Sequence, residues 1–159
     1  MDNAAFAARI APMLKPLYYT AYYILRTRSD AEDAVQQGVM KAWAARDRAR
    51  ADMFKTWLTR IVINECRNIQ RRWMRETPTE IKVLPLESDP PLDIDLQNAV
   101  NGLPDMIRIP FLLKYLTDLT EKETAQALRL PVSTVKNRLA RARKCLRDEL
   151  IDWEVSFNG

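Results

Sequence analysis

The sequence has no histidine, two cysteines and three glycines in 159 residues, and each shortage narrows what it can be. Without histidine the usual general base is missing, and so is the commonest partner of cysteine at zinc. Cys66 and Cys145 stand alone with no Cys-x-x-Cys pair, so neither a zinc ribbon nor a redox motif is written here. Both fall on apolar faces of predicted helices and are expected to be buried free thiols. Three glycines are too few for a turn-rich β fold. No uninterrupted apolar run reaches the length of a membrane span or a signal-peptide core. The chain therefore reads as cytoplasmic, with no membrane span and no cofactor.

What the sequence does have is unevenly placed charge. The net charge is +4, but residues 1–75 carry 14 Lys/Arg against 7 Asp/Glu. Residues 76–98 carry 1 against 6, and residues 99–159 carry 10 against 8. Two basic segments flank an acidic one, a pattern that favours nucleic acid over small acidic ligands as a partner. An anionic membrane surface stays open on charge alone.

Apolar spacing of three and four recurs along most of the chain, and no segment alternates like a strand. Phe6, Ile10, Met13, Leu17, Ala21 and Ile24 give a first helix, which Pro12 and Pro16 are expected to kink. In "SDAEDAVQQGVMKAW", Ser29 and Glu32 have capping-box spacing and predict a second helix to about Trp43. Gly38 inside it should cost about 1 kcal/mol relative to alanine. "AARDRARAD" breaks the rhythm as a loop, and a third helix follows from about Met53 to Arg75. "ETPTEIKVLPLESDPPLD" holds four prolines and five of the six acids of residues 76–98. It reads as a flexible linker, mobile when nothing binds it. Beyond it, helices are expected at about 93–101, 104–116, 121–128 and 132–150, with Pro110 shortening or bending its own. The fold class is all-α: two small helical domains, 1–75 and 93–155, joined by a proline-rich acidic linker at 76–92.

Two helices carry the functional signal. "LTEKETAQALRLPVSTVKNRLARARKCL" has the plan of a helix-turn-helix. Thr120 and Glu123 form a capping box, "RLP" makes the break, and Ser133 or Thr134 can cap the second helix. Seven basic residues and no acid lie between Arg129 and Arg147. Lys136, Asn137 and Arg138 have base-reading chemistry, Arg or Lys for guanine and Asn for adenine. The other helix is "FKTWLTRIVINECRNIQRRWMR". Leu58, Val62, Cys66, Ile69 and Trp73 form its core stripe, while Arg60, Asn64, Arg67 and Arg71 share another face beside Asn68 and Arg72. Alone, that helix fits a solvated surface or an anionic lipid as well as nucleic acid.

The three blocks "SDAEDAVQQGVMKAW", "FKTWLTRIVINECRNIQRR" and "LPDMIRIPFLLKYLTDLTEKETAQALRLPVSTVKNRLARARKCLRDEL" resemble, in order, the bacterial extracytoplasmic-function sigma factors. The match runs from about residue 5 to 150. The resemblance implies a dissociable subunit of core RNA polymerase that selects promoter DNA and starts transcription, with no catalysis of its own. It implies that Asp33, Gln36 and Gln37 dock on the polymerase, with Met40 and Trp43 at or beneath the contact. Arg60, Asn64, Arg67, Asn68, Arg71 and Arg72 would face the −10 element, and the loop Ala45–Asp52 would wall a pocket for an extruded base. Ser133, Thr134, Lys136, Asn137, Arg138 and Arg141 would read the −35 element. An anti-sigma protein is a further partner that the resemblance suggests. Departures from the family pattern stand at Gln37, Val39, Pro110, Thr124 and Arg129, where a residue with a Cβ must take a conformation usual for glycine.

The other readings are weaker. A stand-alone helix-turn-helix regulator would bind a palindromic operator without polymerase. An enzyme would have to use Glu32 with Asp33, or Asp93 with Asp95, and neither pair converges on a metal.

Overall fold

The computed structural model describes residues 1–75 and 92–150, and every regular element among them is helical. The chain divides into two compact units, Met1–Glu87 and Ser88–Gly159. The proline-rich linker expectation, apart from Leu92, lies outside the described residues.

The first unit is a three-helix bundle of α1 (Asn3–Leu25), α2 (Arg28–Ala44) and α3 (Phe54–Arg75), each packed on the other two. Pro12 and Pro16 do not interrupt α1, which runs through both. The Thr20 hydroxyl donates to the Pro16 carbonyl at 2.8 Å inside this stretch. Thr27, not Ser29, caps α2: its hydroxyl accepts from the Asp30 N–H at 3.2 Å. Glu32 is engaged elsewhere, paired with Arg28 at 3.0 Å, so the expected box does not form and the helix starts two residues earlier.

The side of α2 that meets the bundle is made of small residues, Ala31, Ala34, Gly38 and Ala42. A Cβ at Gly38 would lie 2.8 Å from Val62 Cγ2 and 3.4 Å from Val62 Cα. Glycine's weak helix propensity is thus offset by an approach between α2 and α3 that alanine would obstruct. Lys41 on α2 pairs with the buried Glu65 of α3 across the same contact. Leu58, Val62, Cys66 and Ile69 fill the core as their spacing predicts. Trp73 does not. It is 40% exposed, because α3 continues past Ile69, its last buried residue, beyond the helices it packs on.

The second unit contains α4 (Ile94–Asn101), α5 (Asp105–Leu116), α6 (Glu121–Leu128) and α7 (Val132–Glu149). The long α7 packs on the other three. Its buried stripe is Val135, Leu139, Ala142 and Leu146. Val132 lies outside that stripe, 37% exposed at the first turn. Cys145 is also exposed, against expectation, since it sits about 80–100° around the helix from the stripe. Pro110 is buried inside an uninterrupted α5. Leu92, assigned to the linker from sequence, is buried.

Candidate nucleic-acid interface

On α3 the two faces separate as the spacing implies. Asn64, Arg67, Arg71 and Arg72 are exposed, and Arg60 and Asn68 are half-buried. From Arg60 to Arg71 the cationic row rises roughly 16 Å along the axis, about five phosphate spacings of one DNA strand. Arg71 donates to the Asn68 side-chain oxygen. The opposite face is dry. Burial pushes the Cys66 thiol up to about 12, and the neighbouring Glu65 adds to the rise, so Cys66 stays an inert core thiol.

The outward side of α2 carries Asp33, Gln36 and Gln37, all exposed, and Met40 at 57% exposure. Because small residues occupy its inner side, α2 presents its larger side chains to solvent. Beside them runs an apolar groove of about 470 Å³, lined among others by Leu14, Tyr18, Val35, Gln36, Val39 and Met40. Tyr18 is held above the ordinary tyrosine range, first by burial and then by Glu32. The groove is lined by both α1 and α2, and the sequence did not reveal it.

In the second unit α6 opens with the expected capping box. Thr120 Oγ1 accepts from the Glu123 N–H at 3.1 Å, and Glu123 Oε1 accepts from the Thr120 N–H at 3.0 Å. Arg129 ends the helix in the left-handed region at φ 57°, and the Leu130 N–H closes the turn onto the Ala125 carbonyl at 2.9 Å. Pro131 precedes α7, so neither Ser133 nor Thr134 is its cap; both lie in its first turn. Ser133, Lys136, Asn137 and Arg141 are exposed, and Thr134 and Arg138 half-buried. Eight of the twelve residues expected to read DNA are thus exposed, on α3 in one unit and α7 in the other, and four are partly covered.

Sequence reasoning passed over Arg46 and its contact with Trp43. Arg46 stacks 3.7 Å over the Trp43 ring, in the loop that the sequence left without structure. The Trp-x-x-Arg spacing was the available signal. That loop contains two short 3₁₀ turns, Arg46–Arg48 and Ala51–Met53.

Both units match known families. The Sigma-70 region 2 family model matches residues 10–76, and the Sigma-70 region 4 model matches residues 93–146. The sigma-E factor of Escherichia coli is 30% identical over 141 residues, covering 76% of this chain and 74% of that protein. The chain belongs to the extracytoplasmic-function sigma factors. The sigma factor SigW of Bacillus subtilis is 29% identical over 171 residues, covering 95% of this chain and 91% of that protein. Among solved structures, the sigma factor RpoE of Bartonella quintana, bound to the anti-sigma factor NepR, superimposes with a TM-score of 0.79. It is 27% identical, over 93% of this chain and 98% of that one. This sigma factor accordingly directs RNA polymerase to promoters and is not an enzyme. Among the described residues no helix is long and apolar enough to cross a membrane.

Proposed function

We propose that this sigma factor divides promoter recognition between its two units. The first, residues 1–75, docks on core RNA polymerase through Asp33, Gln36 and Gln37 and engages the −10 element through Arg60, Asn64, Arg67, Asn68, Arg71 and Arg72. The second, residues 93–155, is a helix-turn-helix that reads the −35 element through Ser133, Thr134, Lys136, Asn137, Arg138 and Arg141. Residues 76–92 connect them. The observation that carries this reading is the exposure of both cationic faces, each backed by a dry apolar stripe.

Physical roles follow from position. The row on α3 neutralises phosphates, and the two asparagines supply directional hydrogen bonds to unstacked bases. On α7 the early polar residues meet base edges, while Arg141 one turn on meets the backbone. The apolar groove beside Gln36 and Met40 adds buried area to docking. Binding of an anti-sigma protein also belongs to this reading, supported by the likeness to RpoE, which was solved with one.

Co-purification and promoter profiling test it together. Asp33→Arg should abolish co-purification with core polymerase while the chain stays folded. Arg138→Ala should keep polymerase binding, cost about 1–3 kcal/mol at the −35 element and relax preference at one base pair. Normal co-purification of Asp33→Arg removes the docking assignment, and an unchanged promoter profile removes Arg138 from the reading set.

A further inference from the structure

The connection between α2 and α3 holds its own shape by local bonds. The Arg48 N–H donates to the Ala45 carbonyl at 2.9 Å, the Ala49 N–H to Arg46 at 3.2 Å, and the Met53 N–H to Arg50 at 3.1 Å. No residue of its two 3₁₀ turns is buried. A segment with so little core contact has a low barrier to local opening. Arg46 reaches out of it. Besides the stack on Trp43, its Nη1 donates to the Trp43 carbonyl at 2.9 Å and its Nε to the Met1 carbonyl at 3.2 Å.

Trp43 is itself fixed. It meets Phe6 of α1 edge-on at 5.2 Å, and Phe6 meets Phe54, the first residue of α3, at 6.1 Å. The Arg9 guanidinium lies 5.7 Å from the Phe54 ring. This cluster grips the chain just before the loop, at Trp43, and just after it, at Phe54. Between those points stand Arg48 and Arg50, both exposed.

We infer that Arg46 is a positioning residue for strand opening. Its clasp on Trp43 pre-orders the loop so that Arg48 and Arg50 meet the phosphates of the displaced strand without first being immobilised. The inference rests on the reading that α3 and this loop engage the −10 element. A loop released from Trp43 must be ordered during opening, which raises the barrier of that step and leaves earlier binding alone. Arginine is required rather than any cation, because the planar guanidinium stacks and donates from a fixed fork, and lysine does neither.

The test uses the full chain with core polymerase, on promoter fragments selected by the wild-type holoenzyme. Opening is followed by permanganate reactivity of −10 thymines, on duplex promoter and on the same promoter with a mismatched −10 bubble. Arg46→Ala and Arg46→Lys should each open the duplex about tenfold more slowly, with polymerase affinity and closed-complex affinity within about twofold of wild type. The mismatched bubble should restore both. Trp43→Leu should cause a similar loss, and adding Arg46→Ala to it should cause little more, since the two act as one unit.

Opening at the wild-type rate by Arg46→Ala overturns the inference, and so does full rescue by Arg46→Lys, which would leave charge alone as the cause. Lowered polymerase affinity, or a deficit that the bubble fails to repair, assigns Arg46 to holding the bundle together instead. If the wild-type holoenzyme opens no promoter, the −10 reading itself fails, before any variant is compared.

Discussion

The two units solve the same problem, a cationic helix face over a small core, with different kinds of local conflict. In the first, three long helices meet through alanines, a glycine and a buried carboxylate with its own lysine. Pro12 and Pro16 sit inside α1, Arg26 ends it in the left-handed region at φ 66°, and Gly38 sits where α3 comes too close for a Cβ. In the second, compromises gather around α6. Thr124 buries its hydroxyl completely with no hydrogen-bond partner, and Arg129 takes a left-handed conformation that glycine adopts more easily. The lesson is that a fold of this size tolerates local conflict where a turn must be tight, provided the long helix beside it is well packed.

Substitutions can break or sharpen that contrast. The largest effect is expected at Gly38→Leu, where overpacking against Val62 should destabilise the first unit by about 3 kcal/mol. Urea unfolding of the purified chain measures it, and a loss no larger than that of an exposed-site control would refute the close-approach account. Arg129→Gly should run the other way, stabilising the second unit by up to about 1 kcal/mol as positive-φ strain is relieved. Thr124→Val should likewise gain about 1 kcal/mol, since an isosteric methyl replaces an unsatisfied buried hydroxyl. If both leave the unfolding midpoint unchanged, neither Thr124 nor Arg129 is a site of conflict.

The smallest perturbation is chemical. At mildly alkaline pH a thiol reagent should label Cys145, which is exposed, and spare Cys66, whose thiol burial keeps protonated up to about 12. Cys66 ionises at an ordinary value of 9.0 once unfolded, so its contribution to stability is complete below 9.0 and fades as pH rises toward about 12. Cys66→Ala should therefore flatten the loss of stability across that window. Rapid native labelling of Cys66 would contradict the packing of α3.

Periodicity was the most legible layer of the sequence. All seven helices of the described residues lie within a residue or two of their expected spans, because each has a stripe at spacing three and four. The separated faces of α3 and α7 were readable for the same reason. Ends and edges were not. Ser29 has the right spacing for a box, yet Thr27 precedes it with an extended backbone and takes the cap. Trp73 continues the stripe on paper but outlasts its packing partners, and Cys145 lies beside a stripe rather than in it. These outcomes depend on where neighbouring helices stop, which no local pattern encodes. The Arg46 clasp was hidden differently, since the aromatic ring it needs is held in place by Phe6, far away in sequence.

The central claim is that two exposed cationic helix faces, carried by separate units, act together on one promoter when core polymerase holds the chain. Run-off transcription with core polymerase, a library of promoter fragments and variants in each face tests it most directly. Arg138→Ala should shift which −35 sequences are used, and Asn64→Ala which −10 sequences, while the chain without polymerase should select no site from the same library in a DNA-binding assay. Polymerase-independent selection of one palindromic site, untouched by Asn64→Ala, would contradict it.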